Sequence, residues 1–320
     1  MKLATYEKDL QQRIGAVVDD GAALIDLKAA AGAEARGYLD TMVSLIEAGA
    51  DGMAIARMAL ERAGPQHRIA MGDVKLLAPL PVPPQMRDAS VYPLHVRQAP
   101  AGMQKLAAKL QGQPEPETRL PDDVPAVYRD LPIYYITNRF SVIGPEATVT
   151  WPRYSKFMDF ELEFAAVIGS RGKNISREDA FDHIFGYTIF NDFSARDAQL
   201  KEMQGMLGPA KGKSFDSGNA LGPWIVTRDE IPDPQALKVE VRVNGTPWMT
   251  SDTSGMLHGF DAIIAHVSAD ETLHPGEVIG SGTVGNCCGL EQNRYLQSGD
   301  IVELEVEGIG VLRNMVVAQG

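Results

Sequence analysis

Asp159-Phe160-Glu161-Leu162-Glu163-Phe164-Ala165-Ala166-Val167-Ile168 sets Phe160, Leu162 and Phe164 in alternation with Glu161 and Glu163, the period of two that a β-strand imposes on its side chains. As a strand it presents both glutamates on one face, with backbones roughly 7 Å apart, near enough for one cation to be held by both. Two carboxylates on the same face of an apolar strand repel unless positive charge lies between them. The competing reading is an amphipathic strand with a wet acidic face. Segments 148–151, 186–191, 222–226, 238–243, 277–280, 301–306 and 310–316 also read as short strands separated by Gly and Pro. So many β segments with so few helices predict a mainly β fold with some α, a β-rich sandwich, roll or barrel. The clearest helix after residue 125 is predicted over 177–183, opened by the capping-box-like Ser176-Arg177-Glu178-Asp179.

Upstream the pattern changes. Residues 1–29 alternate short apolar segments with turns, and Asp19-Asp20-Gly21 between two such runs predicts a β-hairpin. Leu39, Met42, Val43 and Ile46, then Met53, Ile55, Met58 and Ala59, follow helical spacing broken at Gly49-Ala50-Asp51-Gly52. The proline-rich stretch 77–84, LAPLPVPP, suits an extended connector. It divides the chain into a small domain, 1–76, and a larger one, 77–320. Within the latter, 101–110 is helix-like and 111–125 is a polar loop.

Composition narrows the function. With 44% hydrophobic residues the chain can bury a large core. Its 42 acidic against 30 basic residues give a net charge of −12, which opposes nucleic-acid binding. The absence of a long uncharged apolar run argues against a membrane span, and the charged start argues against a secretory signal, so a cytoplasmic protein is expected. The adjacent Cys287 and Cys288 lack the gapped spacing of a zinc site and are expected to be reduced and buried.

A third carboxylate, Asp192 in Asn191-Asp192-Phe193-Ser194-Ala195-Arg196, closes a mostly apolar strand, where it could ligate a metal or cap a helix. Arg196 and Gln199 follow at one-turn spacing. Three oxygen ligands with no Cys or His pair suit Mg²⁺, Mn²⁺ or Ca²⁺ better than Zn²⁺. Lys213, in the glycine-rich Gly212-Lys213-Ser214-Phe215-Asp216, could offset developing oxyanion charge or stand in solvent. The Gly280-Ser281-Gly282-Thr283 turn lacks the lysine and the strand–loop–helix setting of a P-loop, so a nucleotide is not expected.

In order, FELEFAAVIG, HIFGYTIFNDFSARDAQ, GKSFDSGNALGPW, VNG, GSGT and LQSGDIVELEVEGIG resemble the fumarylacetoacetate hydrolase family, over roughly three quarters of the chain. The resemblance implies a β-rich catalytic domain and a homodimer. It implies a divalent metal, Mg²⁺ foremost, on Glu161, Glu163 and Asp192, with Arg196, Gln199, Lys213 and Thr283 toward substrate. Asp88, seven residues before His95, and the Tyr134-Tyr135 segment resemble the two-domain fumarylacetoacetase branch, which adds Asp88 as a ligand, His95 as the base and Tyr135 at the substrate. That branch carries an SH3-like β-barrel domain, here expected before Leu77. The partner expected for His95 is Glu291. Ser90 departs from the branch, standing where it has a substrate-binding tyrosine.

The implied activity is hydrolysis of a carbon–carbon bond in a small fumarylacetoacetate-like or acylpyruvate-like diketo acid. His95 would activate water and Lys213 would face the oxyanion. Decarboxylation, isomerisation or dehydration of a keto or sugar acid on the same site is the alternative within enzymes. A catalytically silent binding protein is the alternative outside them.

Overall fold

In the computed structural model, which describes residues 1–319, the glutamate segment lies near the middle of a twelve-stranded sheet. Strand Leu162–Ile168 pairs antiparallel with Ile184–Asp192 on one side and Val278–Gly280 on the other. All its residues are buried, and Glu163 is completely so. The wet acidic face is therefore excluded: the sheet is covered on both sides, and its glutamates are enclosed with it.

The strand expected over 159–168 is interrupted. Met158–Asp159 pairs with Ser194–Ala195, and Glu161 forms an isolated bridge to Cys288 before the long strand begins. The break arises because the chain changes partners at Phe160, and it separates the surroundings of Glu161 from those of Glu163.

From Ile184–Asp192 the sheet continues through Asn219–Thr227 to Lys2–Lys8, Gln11–Val18, Ala23–Asp26 and Arg68–Ala70; in the other direction Val278–Gly280 leads to Met86–Ala89 and Tyr134–Ile136. A second sheet orders Thr246–Asp252, Lys238–Val243, Ile301–Val306, Gly310–Ala318 and Thr148–Trp151. Phe164, Tyr187 and Ile189 of the first sheet share one apolar core with Val241, Leu304 and Leu312 of the second. The two-period pattern read from the sequence is thus packed as sheet on sheet.

Residues 1–76 contribute a meander whose last strand, Lys75–Leu76, returns to Tyr6 and Glu7. The turn at Asp19–Gly21 joins two strands as expected. An earlier hairpin turns at Asp9 and Leu10, with φ of 51° and 61°, a conformation the sequence did not announce because such turns favour Asn and Gly. Helices Leu27–Ala31, Met42–Glu47 and Gly49–Arg62 follow. Leu45, Ile46 and Ala56 pack in one cluster with Phe190, Leu221 and Val278 of the large sheet.

Two helix expectations are corrected. Residues 177–183 contain only a single 3-10 turn, Ala180–His183. Ser176 and Asp179 do bond each other locally, but the strand starting at Ile184 leaves no length for a helix to propagate. Conversely, helix Pro93–Leu110 begins well before residue 101 and carries Pro100 inside it. His95 therefore lies on the first turn of a long helix, with Pro93 at its start, where a missing N–H costs nothing. Among the described residues, no helix is long and apolar enough to cross a membrane.

Candidate active site

Three strands deliver three carboxylates to one point. Met86–Ala89 runs parallel to Val278–Gly280 and sets Asp88 opposite Gly280. Leu162–Ile168 carries Glu163, and Asp192 closes its neighbour. Asp88, Glu163 and Asp192 are buried and offer oxygens that all lie within 4.8 Å of one another. The Gly282 N–H donates to Asp88 Oδ1 at 3.2 Å and to Glu163 Oε2 at 3.1 Å. A Cβ on Gly280 would stand 2.6 Å from Asp88 Oδ1 and 2.9 Å from Glu163 Oε2, so the glycine there is what lets the two acids meet.

Burial pushes all three carboxyl groups above their usual range, and the neighbouring charge of Asp88 adds to the effect on Glu163. Glu163 Oε1 and Asp192 Oδ1 are buried with no hydrogen-bond partner among the described residues. Orphaned buried acceptors are costly. Hard oxygens converging on one point, two of them unsatisfied, fit Mg²⁺, Mn²⁺ or Ca²⁺, and Asp88, Glu163 and Asp192 are the residues that would hold such an ion.

Glu161 is held differently. Arg196 Nη2 donates to its Oε1 at 2.7 Å, and Lys213 Nζ pairs with its Oε2. The same ammonium lies 2.5 Å from Asp192 Oδ2. Burial would raise the Glu161 carboxyl, but Arg196 and Lys213 outweigh it and hold the group well below the usual range. Lys213 is itself only 2% exposed. Desolvation opposes its charge, yet Asp192 and Glu161 keep its pKa above the ordinary lysine value. It is a fixed positive charge. The solvent-exposed lysine that a glycine-rich loop allows is not what forms.

His95 projects from the first turn of its helix, and its Nδ1 lies 3.0 Å from Glu291 Oε1. Glu291 is anchored in turn by the Cys288 N–H at 3.1 Å. Tyr135, paired in register with Asp88, donates its O–H to Asp192 Oδ2 at 2.7 Å. Gln199 Oε1 accepts from Arg196 Nη1 at 2.9 Å. Thr283 is buried and follows Gly282, the residue that clamps Asp88 and Glu163.

Two residues that sequence reasoning passed over organise this site. Asp159, read as the first residue of a strand, is completely buried and accepts four donors. Its Oδ1 takes the N–H groups of Phe160 at 2.8 Å and Gly289 at 2.7 Å, while Oδ2 takes Leu290 N–H at 2.7 Å and Arg196 Nε at 2.8 Å. One carboxylate thus ties the arginine that holds Glu161 to the turn that carries Glu291. Asn191 accepts the Glu161 N–H at 3.1 Å. Asp159 stands directly before one motif and Asn191 inside another, and that position is the only sequence signal either residue had. Five buried acids, Asp88, Asp159, Glu161, Glu163 and Asp192, surround two buried cations, Arg196 and Lys213. That negative excess in a desolvated site calls for a further cation.

Residues 101–317 match the model of the C-terminal domain of fumarylacetoacetate hydrolase. A mitochondrial oxaloacetate tautomerase, Fahd2 of Xenopus laevis, is 34% identical over 95% of this chain and 86% of its own length. The oxaloacetate tautomerase YisK of Bacillus subtilis is 33% identical over 99% of this chain and 100% of its own. A solved fumarylacetoacetate hydrolase from Exiguobacterium antarcticum is 28% identical and superposes over the full length of both chains with a TM-score of 0.73.

Proposed function

The chain belongs to the fumarylacetoacetate hydrolase family, and from that premise we propose that it interconverts the keto and enol forms of oxaloacetate or a closely similar 2-keto dicarboxylate. The observation that carries this reading is the His95–Glu291 pair at 3.0 Å beside a separate nest of metal-fitting carboxylates. Enolisation needs a base for one proton and positive charge for the oxygen that becomes an enolate. It needs no water, and the similarity to two oxaloacetate tautomerases over nearly the whole chain favours this chemistry.

A divalent ion held by Asp88, Glu163 and Asp192 would supply Lewis-acid stabilisation of enolate oxygen. Everything else falls to the chain. With Glu291 accepting from Nδ1–H, the lone pair of His95 sits on Nε2, which takes the proton from the carbon next to the keto group and returns it in the reverse direction. Glu291 steadies the imidazolium that forms, as a carboxylate does behind any catalytic histidine. Lys213 keeps its proton and contributes fixed charge, aided by Arg196, where negative charge grows on the substrate oxygen. Tyr135 holds Asp192 in place, and the family resemblance assigns Thr283 to a substrate carboxylate.

Carbon–carbon hydrolysis of a diketo acid is the second reading, because an imidazole oriented by a carboxylate is also what water activation requires. The two separate in one experiment. Enol-oxaloacetate is mixed with enzyme and Mg²⁺, enol absorbance is followed, and deuterium from solvent is traced at the carbon beside the ketone; acylpyruvates and fumarylacetoacetate are assayed in parallel for release of free acid. Faster ketonisation that His95→Ala slows by ~10²-fold or more supports tautomerisation. Uncatalysed ketonisation together with rapid acid release from a diketo acid would overturn it in favour of hydrolysis.

A further inference from the structure

Separate from the carboxylate nest there is a second group of metal-ligating side chains. His95, Cys288 and Glu291 each offer one ligand atom, and these atoms all lie within 4.8 Å of one another. His95 Nδ1 is 3.0 Å from Glu291 Oε1 and 4.0 Å from Cys288 Sγ. We propose that this trio is an inhibitory site for Zn²⁺, distinct from the oxygen-ligand site that supports catalysis.

The geometry comes close to what zinc requires. Tetrahedral coordination with ordinary Zn–N, Zn–O and Zn–S bonds places the ligand atoms about 3.3–3.6 Å apart. The imidazole and carboxylate are therefore slightly too close and the sulfur is too far by about 0.5 Å, adjustments within the reach of side-chain rotation. Two of the three ligands are fixed in advance. Cys288 and Glu291 lie on one short turn, pinned by the Gly289 and Leu290 N–H bonds to Asp159 and by the Cys288 N–H bond to Glu291 itself. His95 is rooted in a helix, and its side chain is 14% exposed, enough for solvent to provide the fourth ligand.

Charge and softness separate the two sites. The carboxylate nest offers only hard oxygens, which suit Mg²⁺ or Mn²⁺; an imidazole and a thiol suit zinc. Binding converts the Cys288 thiol to a thiolate and releases its proton to solvent, so Zn²⁺, thiolate, carboxylate and neutral imidazole sum to zero charge in a buried place. The ion would take the lone pair of Nδ1, and the proton that Nδ1 shares with Glu291 would move to Nε2; the imidazole stays neutral and His95 loses the lone pair with which it acts as a base. The binding site stands on geometry alone. Its inhibitory effect rests on His95 being the base.

The test separates these two parts. Enzyme saturated with Mg²⁺ is titrated with Zn²⁺ for activity, and with Co²⁺ for the near-ultraviolet absorption of a thiolate–cobalt bond, using wild type and Cys288→Ser. We expect the wild type to lose activity and to show the thiolate band at one equivalent. Cys288→Ser, its activity taken relative to its own zinc-free rate, should show no band and need ~10-fold or more higher Zn²⁺ for inhibition, as befits loss of a direct ligand. Absence of the thiolate band in wild type overturns the site whether or not the serine variant folds. Equal zinc sensitivity of wild type and Cys288→Ser would likewise overturn it and assign inhibition to displacement of Mg²⁺. A thiolate band without loss of activity would keep the metal site and remove His95 as the base.

Discussion

Replacing Asp159 with Asn changes one charged oxygen into an amide and leaves the shape of the side chain intact. The native carboxylate accepts two donors on each oxygen. Whichever way the amide is turned, its NH₂ faces two of them. Two buried donors then lose their acceptor, at about 1–3 kcal/mol each. Arg196 loses one of its two ionic partners, keeping Glu161. Because the pairing is only partly broken, the total should stay within the ~3–5 kcal/mol typical of disrupting a buried ion pair. Against a stability of about 5–15 kcal/mol, the variant should fold but denature at distinctly lower urea. The turn that carries Glu291 loses an anchor at the same time. In the folded variant kcat should therefore fall more than KM rises. Urea melts and steady-state kinetics on the Mg²⁺-loaded enzyme measure both effects. A midpoint and a kcat indistinguishable from wild type would show that Asp159 neither stabilises nor positions anything.

Three further outcomes follow from the site. Lys213→Met removes a charge that stays fixed through the reaction while substrate oxygen becomes negative; kcat should drop by ~10²-fold or more with a smaller change in KM, and a variant that loses only affinity would make the lysine a substrate clamp. Gly280→Ala drives a methyl group into Asp88 and Glu163, so metal affinity measured by calorimetry should fall by ~10-fold or more with the fold retained on circular dichroism; unchanged affinity would detach those two acids from the metal. In chelated protein, Asp88, Glu163 and Asp192 keep protons that the unfolded chain gives up near pH ~4. The folded state then binds the extra protons, so its stability is greatest below that pH and declines as pH rises through the raised values. Urea midpoints with EDTA should fall between about pH 5 and pH 8, and Mg²⁺ should reverse the fall; a midpoint that climbs over this range without metal would contradict the shared burial of the three acids.

What the sequence revealed was whatever its local pattern encodes. Alternation located the strands at Lys238–Val243 and Ile301–Val306 to the residue, and the spacing of Glu161, Glu163, Asp192, Arg196 and Lys213 put the charged groups in neighbouring segments. Alternation alone could not say that Glu161 and Glu163 enter different surroundings, since that depends on Phe160 being the point where the chain changes partners. Asp159 stayed hidden for the same reason: its four donors come from residues 160, 196, 289 and 290, and three of them are far away in sequence. The sequence predicts Cys288 only as reduced and buried, without zinc-site spacing, and it is the fold that brings it next to His95. The helix expected at 177–183 followed a genuine local signal, the Ser176–Asp179 bonds, that tertiary structure cut short.

The pairing of Lys2 with Val226 and Leu3 with Ile225 also bears on how the molecule assembles. Closing so long a loop costs little extra in equilibrium terms, because closure entropy grows only logarithmically with length. Kinetically it matters more. The hairpins of the first seventy residues can form as soon as they are synthesised, but the neighbour on which their sheet rests is made two-thirds of the way along the chain, and the segments bearing Gly282 and Glu291 later still. Folding dominated by such distant pairings is slow. Refolding from urea should therefore recover hairpin-level circular dichroism well before it recovers tight metal binding, and in the interval the exposed edge of Lys2–Lys8 is the place where aggregation would begin.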